Sequence, residues 1–227
     1  MCSLLPIRLR RIQRGKGIRL SAGSEAPQVV LPKIDGAVFD TNTLHGRAYM
    51  LSIFRFSGCP FCNLRPHSLV SQCHEYPHGF TVVAVFDSPV DKLKAHTKRH
   101  QAPLPFLADE SNEYYRKYGI EHSLPEVAKG LSMRLPELIK AALMGFIPFR
   151  VKGQMTTMPA DVLVRPDGTI HTAHYGNDEG DHLPLNEVQG FAQAGDSTPG
   201  CPEAYADAPS QYRRDSGKTL IRRRPRS

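Results

Sequence analysis

Two cysteines one helical turn apart, Cys59 and Cys62, give this chain of 227 residues its clearest capacity for chemistry. They form a C-x-x-C motif in which Pro60 directly follows the first thiol. Proline is favoured in the first turn of a helix, so the motif predicts a helix that begins at Cys59-Pro60. At a helix N-terminus the macrodipole and the unbonded N–H groups stabilise a thiolate, and cysteine pKa values there fall from about 8.5 to between about 3.5 and 7.5. We therefore predict that Cys59 is a nucleophile and that Cys62 is a resolving thiol able to bridge to it.

Charged and titratable side chains flank the motif. Arg55 and Arg65 lie close to Cys59 in sequence and would add positive potential to its thiolate. Asp87 follows the next predicted strand, where it is either a functional group at the edge of the sheet or a capping residue. Three histidines after the motif are more typical of a solvated helix surface than of a catalytic base, and we assign them no role. They are His67, His74 and His78.

A structural zinc site is the competing interpretation, with Cys59, Cys62, Cys73 and His74 as ligands. Their spacing is unusual for zinc, and in a continuous helix Cys73 would lie about 16 Å from Cys62. We therefore expect neither a metal site nor a disulfide between these two residues, and Cys73 is predicted to be a packing residue. Cys201, near the C-terminus, is predicted to be idle, and a mobile resolving thiol is the alternative.

The elements that must position the motif alternate between strand and helix patterns. Continuous apolar runs at Tyr49–Phe54 and Thr81–Phe86 have the length and composition of buried strands, one before and one after the motif. Asp167-Gly168 between two β-rich runs, Asp161–Arg165 and Thr169–His174, indicates a hairpin. Two briefer apolar segments are Gln28–Leu31 and Leu104–Ala108. This order predicts an α/β fold with a central mixed β-sheet flanked by helices, parallel through the crossovers and antiparallel at the hairpin.

Helical patterns occupy the intervals between these runs. Ser88 and Asp91 form a capping-box-like pair around Pro89, which predicts a helix running to about His100. Apolar residues within 135–146 fall on one helical face, for which core packing is the expected use and a lid or dimer surface is the alternative. Two further helices are predicted at Asn112–Tyr118 and Leu185–Ala194.

The formal net charge of +7 comes from the two ends of the chain. Residues 1–20 and 211–227 each carry +6, whereas 21–210 carries −5. This distribution excludes a uniformly basic nucleic-acid domain, and the lack of any run of about 18 apolar residues excludes a membrane span. The start of the chain has no apolar signal-peptide core, so we expect a cytoplasmic protein, with an organellar transit peptide as the alternative.

Composition also divides the chain into three parts. We predict a basic disordered leader at 1–20, one globular domain at 21–195 and a basic disordered tail at 196–227.

Four local features together resemble the peroxiredoxin-like branch of the alkyl hydroperoxide reductase and thiol-specific antioxidant (AhpC/TSA) family, within the thioredoxin-like superfamily. Residues 23–27 (GSEAP) match its opening G-x-x-A-P, and the strand, C-x-x-C and helix follow at the expected distance. Met158-Pro159 stands just before a strand, where thioredoxin-like proteins place a cis-proline facing the active cysteines. Residues 161–170 resemble the family's strand, PDG turn and strand, so the resemblance spans roughly 21–194.

The resemblance implies a thioredoxin-like fold and a thiol peroxidase that needs no cofactor. Cys59 would attack the peroxide, Cys62 would condense with the product, and a thioredoxin- or glutathione-type dithiol would reduce the disulfide. Pro159 would support the site, and a homodimer is possible. A general disulfide reductase using the same cysteines is the close alternative. A non-catalytic binding module, acting through 131–146 or the basic ends, is the alternative of another class, although it would not need both thiols.

The chain departs from the family pattern at several positions. The family pattern before the cysteine is P-x-x-x-[TS]-x-x-C. In this chain Ser52 stands at the proline position and Phe56 at the Thr or Ser position, and the adjacent Ser57 is a substitute hydroxyl. The arginine usually found near the later proline is missing, so Arg55 or Arg150 would have to replace it. The tryptophan that precedes the motif in thioredoxins is also missing, since the chain contains no Trp. The resemblance therefore implies thiol redox chemistry more firmly than it implies peroxide as the substrate.

Overall fold

A five-stranded mixed sheet forms the centre of the molecule. The computed structural model describes residues 17–72, 76–77, 79–97, 104–120, 135–143, 157–178 and 180–195. Its strands are β1 (Val30–Pro32), β2 (Val38–Asp40), β3 (Tyr49–Phe54), β4 (Thr81–Phe86), β5 (Phe106–Ala108), β6 (Ala160–Val164) and β7 (Ile170–Tyr175). The sheet order is β5-β4-β3-β6-β7, with β1 and β2 as a separate antiparallel pair. β3 pairs in parallel with β4 and antiparallel with β6, which confirms the predicted mixed sheet.

Five α-helices and one 3-10 helix (Thr41–Leu44) are described in these ranges. The α-helices are α1 (Pro60–Ser71), α2 (Val90–Thr97), α3 (Glu113–Lys117), α4 (Leu135–Leu143) and α5 (Leu185–Gly195). The predicted starts of α1 and α5 are confirmed, whereas the predicted ends at His100 and Phe146 lie outside the described residues. The prediction that Ser88 caps α2 is wrong, because the helix begins at Val90 and the Ser88 hydroxyl is bonded to Ser57.

Three apolar side chains of helix α4 do not lie in the core, where the periodicity predicts them. Ile139 is 53% exposed and Leu143 is 84% exposed, and Ala142 is exposed as well. These side chains therefore lie on the surface although α4 runs beside α1. Helical periodicity identifies an apolar face, but it does not say whether another element covers that face.

The two faces of β3 separate the core into two apolar clusters. Side chains alternate along a strand, so Met50 and Phe54 point to one face while Leu51 and Ile53 point to the other. The first cluster contains both motif cysteines together with residues of α1 and α5. The second cluster contains the tyrosines of α3. Because β3 is buried on both faces, it reads in the sequence as a continuous apolar run.

Strand register brings two distant parts of the chain to the same place. Phe54 aligns with Phe86, so the chain leaves β3 and β4 at one edge of the sheet. On the other side of β3, Ser52 aligns with Asp161 of β6. The candidate site consists of the residues that follow β3 and β4 at this edge and of the polar pair Ser52 and Asp161.

The N-terminal end of the described chain packs against this body. Ile18 donates its N–H to the Lys117 carbonyl at 3.1 Å, and Leu20 donates to the Tyr175 hydroxyl at 2.7 Å. Residues 17–20, which the sequence assigns to the leader, are therefore attached to the domain. The predicted tail at 196–227 lies outside the described residues, so its disorder stays a prediction. Within the described ranges, no helix combines the length and apolarity needed to cross a membrane.

Candidate active site

Helix α1 begins directly after Cys59, which occupies its N-cap position with φ −71° and ψ 124°. The chain turns between β3 and this helix, and the Cys59 N–H donates to the Phe56 carbonyl at 3.0 Å. Proline occupies the first turn, as the sequence predicts. Cys59 is 1% exposed and Cys62 is fully buried, and both are thiols without a disulfide. The first thiol therefore lies at the positive end of the helix dipole and the second lies one turn inside the core.

Arg55 lies against the first thiol. Its Nη1 is 3.7 Å from the Cys59 Sγ, and the side chain is only 4% exposed. The guanidinium also lies over the Phe56 ring, 5.6 Å from its centroid. A buried cation at this distance stabilises the anionic form of a thiol much more than a solvated one does. The structure thus gives Arg55 the position that the sequence analysis assigned to a supporting cation.

Cys62 is held in its protonated form. Burial raises the pKa of Cys62 well above its ordinary value, and the hydrogen bond and charge of Cys59 raise it further. Arg55 acts in the opposite direction and does not offset these effects. Of the two thiols, Cys62 is therefore the one that burial keeps protonated.

Two side chains that the sequence analysis did not identify fix the turn before α1. Asn63 donates its Nδ2 to the carbonyls of Ser57 at 3.1 Å and Cys59 at 2.7 Å. The Ser88 hydroxyl accepts from the Ser57 N–H at 2.9 Å and donates to the Ser57 Oγ at 3.1 Å. Ser57 thus belongs to a buried hydroxyl pair. The available signal was that Ser88 follows β4, the parallel neighbour of β3, whose end leads into the same turn.

Arg65 has a different environment from the one the sequence suggested. Its Nη2 donates to the Leu183 carbonyl at 2.6 Å and lies 3.5 Å from Asp161 Oδ2. In the part of the chain that the structure describes, these are its polar partners, and Cys59 is not among them. Arg65 lies one helical turn beyond Cys62, at the level of Ser52 and Asp161 in the sheet. Its side chain is therefore directed to Asp161 and not to the N-terminus of α1. Its role is to attach α1 to β6 and to the segment before α5.

Asp161 is the centre of a buried polar cluster. Oδ1 accepts from the Ser52 hydroxyl at 2.5 Å, and Oδ2 accepts from the Leu183 N–H at 2.9 Å and contacts His182 Nδ1 at 3.1 Å. Burial by itself raises the pKa of Asp161, but His182, Arg65 and Ser52 together outweigh burial and hold this pKa well below its ordinary value. Asp161 is therefore a carboxylate on the same face of the sheet as the two thiols.

Pro159 departs from the cis-proline that thioredoxin-like proteins place at this position. No peptide bond among the described residues is cis, so the Met158–Pro159 bond is trans. The Pro159 carbonyl accepts from the Gly176 N–H at 2.9 Å, and this bond continues the pairing of β6 and β7 through the proline. Since Ala160 aligns with Ile53, Pro159 still lies at the end of β3 from which the chain leads to Cys59.

The zinc interpretation requires Cys73 and His74, which lie outside the described residues, as do Arg150 and Cys201. Among the residues that the structure does describe, no group of three or more His, Cys, Asp or Glu side chains could hold a metal ion.

The family model of the AhpC/TSA family matches residues 22–173. The chain belongs to the AhpC/TSA family. It is a thiol-dependent oxidoreductase with a peroxiredoxin-like, thioredoxin-like fold, as predicted. No curated protein matches the sequence.

Solved structures share the fold at low sequence identity. A peroxiredoxin-like protein from Aquifex aeolicus is 13% identical with a TM-score of 0.57, covering 79% of this chain and 90% of its own. A thiol peroxidase from Chromobacterium violaceum is 11% identical with a TM-score of 0.53 and the same coverages. A putative thiol:disulfide interchange protein DsbE from Chlorobium tepidum is 18% identical with a TM-score of 0.50, covering 78% of this chain and 98% of its own. These similarities establish the fold, which is common to peroxidases and disulfide oxidoreductases.

Proposed function

We propose that this AhpC/TSA protein is a thiol peroxidase for small hydroperoxides, with Cys59 as the nucleophile and Cys62 as the resolving thiol. The observation that carries the proposal is the pairing of a nearly inaccessible Cys59 with the buried Arg55 at 3.7 Å. A protein disulfide has to bring its sulfur into line with the nucleophile, which a thiol with 1% exposure resists. A hydroperoxide of two oxygen atoms requires much less opening.

Arg55 supports peroxide chemistry in a second way. A guanidinium has five N–H donors in a fixed planar arrangement, so one group can contact a thiolate and a peroxide oxygen together. Negative charge moves from sulfur to the departing oxygen as the O–O bond breaks, and a buried cation beside that path stabilises the transition state. This arrangement takes over the task of the hydroxyl that Phe56 replaces in the family pattern.

The proposed reaction has three steps. The Cys59 thiolate attacks one peroxide oxygen, so an S–O bond forms, the O–O bond breaks and an alcohol or water leaves after taking up a proton. Cys62 then attacks the sulfur of the sulfenic acid, which forms the Cys59–Cys62 disulfide and releases water. An external dithiol of the thioredoxin or glutathione type reduces this disulfide by exchange and becomes oxidised itself.

Stopped-flow measurement of hydrogen peroxide consumption tests the proposal, with reduction of insulin disulfides measured in parallel. We expect fast peroxide consumption by the wild type, its loss in Cys59→Ser, and a single turnover without recycling in Cys62→Ser. Insulin reduction without peroxide consumption would assign the protein to the disulfide reductases instead. If neither substrate reacts although the variants are folded, the enzyme proposal is wrong.

A further inference from the structure

His182 occupies a buried position on the face of the sheet that carries the two thiols, and the proposed reaction does not use it. It lies between β7 and α5, and its side chain is 5% exposed. Leu183, the next residue, belongs to the apolar cluster that contains Cys59 and Cys62. Asp161 fixes this segment twice, because it binds both the His182 ring and the Leu183 N–H.

The contact with Asp161 determines which nitrogen of His182 carries a proton. A carboxylate only accepts hydrogen bonds, so the nitrogen facing it, Nδ1, is the N–H donor. Nε2 is then the nitrogen that gains or loses the second proton. This atom is buried and has no hydrogen-bond partner among the described residues. A buried polar atom without a partner is uncommon in native proteins, and a catalytic role is one of its recognised explanations.

Strand register and helix spacing place this imidazole at the level of Cys62. Arg65 contacts Asp161 opposite Ser52, and Cys62 precedes Arg65 by three residues on the same face of α1, about 4.5 Å along the axis. Helix α1 starts beyond the end of β3 and runs back along the sheet. The direction from Arg65 to Cys62 along the helix is therefore the direction from Ser52 to Phe54 along the strand, which is a distance of about 6.6 Å.

The His182 ring lies on this side of Asp161. It packs against Phe54 with ring centroids 5.3 Å apart, while its Nδ1 faces the carboxylate of Asp161. The ring is therefore displaced from the Asp161 carboxylate toward Phe54, which belongs to the same apolar cluster as Cys62.

We infer that His182 is the base that accepts the proton of Cys62 when this thiol resolves the oxidised Cys59, with Asp161 as the residue that orients the imidazole. The inference rests on the proposed roles of the two cysteines, and it holds for a sulfenic acid or for a mixed disulfide at Cys59. In either case the Cys62 S–H bond breaks, its proton moves to Nε2, and the sulfur forms the S–S bond. The group leaving Cys59 is hydroxide in the first case and a thiolate in the second. The imidazolium then returns the proton to that leaving group or to solvent.

The resolving step creates the need for such a base. Burial keeps Cys62 protonated, and a protonated thiol does not attack sulfur at a useful rate. Arg55, the cation nearest to this pair, cannot accept a proton. Among the described groups on this face of the sheet, His182 combines a titratable nitrogen, burial and a fixed tautomer.

Quench-flow with methyl methanethiosulfonate measures the resolving step by itself. This small reagent converts the Cys59 thiolate into a methylthio mixed disulfide, and attack by Cys62 then releases methanethiol. Peptide mass mapping after acid quench separates the adduct from the closed disulfide and distinguishes both from reaction at the other three cysteines. In Cys62→Ser the adduct should accumulate without closure.

His182→Asn is the decisive variant, because its amide can keep the donor to Asp161 while the Nε2 position is removed. We expect the closure rate at pH 7 to fall about a hundredfold or more, with adduct formation at Cys59 nearly unchanged. His174→Asn is the control, since the His174 ring also pairs with a carboxylate, that of Asp181, at a distance of 3.0 Å. Equal closure rates in the wild type and His182→Asn would overturn the inference, even where peroxide activity is present.

The pH profile of the wild type supplies a second measurement that needs no variant. The charged groups facing His182 are Asp161 from β6 and Arg65 from α1, and neither changes charge between about pH 5 and 9. We therefore expect the closure rate to rise less than tenfold per pH unit across this range. A closure rate that rises tenfold per pH unit through that range would show that hydroxide, and not His182, deprotonates Cys62. Failure of Cys59 to form any adduct would overturn the cysteine roles and this inference together, whereas closure without peroxide activity would overturn only the peroxidase.

Discussion

Asp161→Asn tests whether the buried cluster attaches α1 to the sheet. The substitution preserves size, and an amide oxygen in the place of Oδ2 can still accept from His182 and Leu183. Its NH₂ then faces the Ser52 hydroxyl, which can reverse and accept. What is lost is the charge, and Arg65, with a side chain only 11% exposed, loses its carboxylate partner.

The magnitude follows from that burial. Removing one partner of a buried ion pair typically costs about 3–5 kcal/mol, and the surviving hydrogen bonds place this variant near the lower end, at about 3 kcal/mol. For a domain of this size that corresponds to a decrease in Tm of roughly 6–12 °C. Urea denaturation followed by circular dichroism measures the change in the free energy of unfolding.

The pH dependence gives this prediction a sign. Burial raises the pKa of Asp161, but His182, Arg65 and Ser52 outweigh burial and leave the folded-state pKa below that of the unfolded chain. The carboxylate therefore contributes stability that is fully present above the unfolded-state pKa and is lost as the pH falls through the folded-state value. We expect the difference between wild type and variant to shrink below about pH 4.

Asp181→Asn is the matched control for this experiment. Asp181 also pairs with a histidine, His174, but the two side chains are 23% and 27% exposed. Exposed pairs are typically worth about 0–1 kcal/mol, so this variant should remain close to the wild type. If Asp161→Asn and Asp181→Asn lose the same small free energy, the cluster does not attach α1 in the way argued above.

Three further substitutions test the site and its surroundings. Arg55→Met should lower the stopped-flow rate constant for peroxide by roughly 10²–10³, because a charged donor beside the reacting sulfur is lost; a wild-type rate would exclude Arg55 from catalysis. Cys62→Ser should let the sulfenic acid of Cys59 accumulate under peroxide, detected by dimedone labelling and mass spectrometry, and equal labelling of the wild type would contradict its resolving role. Gly176→Ala should lower the free energy of unfolding by about 1–3 kcal/mol, since the new Cβ would lie 2.5 Å from the Asp181 carbonyl oxygen. An unchanged urea midpoint would show that this loop accommodates the new Cβ without a loss of stability.

The central strands could be predicted to the residue, and the physical reason is burial. β3 and β4 are covered on both faces, so their sequences are continuous apolar runs with clear ends. The start of α1 was equally clear because Pro60 marks a first turn. Ser88 shows where local signals fail. It resembles a helix cap in sequence, but the parallel pairing of β3 and β4 brings its hydroxyl to Ser57.

The two thiols of the candidate site could be found from the sequence, whereas the cluster beside them could not. Ser52 interrupts an otherwise apolar strand, and a polar residue in a buried strand requires a partner. The identity of that partner depends on the register of β3 against β6, which aligns Ser52 with Asp161 across more than a hundred residues. His182 and Leu183 join the cluster from a loop with no periodic pattern, so nothing local marked them.

The geometry of α1 gives two cysteines three residues apart different electrostatic environments. Cys59 lies at the N-cap, where the helix dipole and Arg55 favour an anion. One turn later the helix has passed over the sheet, so Cys62 is surrounded by apolar side chains and burial raises its pKa. The next turn places Arg65 on the Asp161 carboxylate, which holds the helix at that depth. The helix is fixed at both ends of the motif, so the two sulfurs stay close together. A change of charge at Cys59 therefore changes the pKa of Cys62 directly. The protein can therefore keep one thiol reactive and the other in reserve until the first has been oxidised.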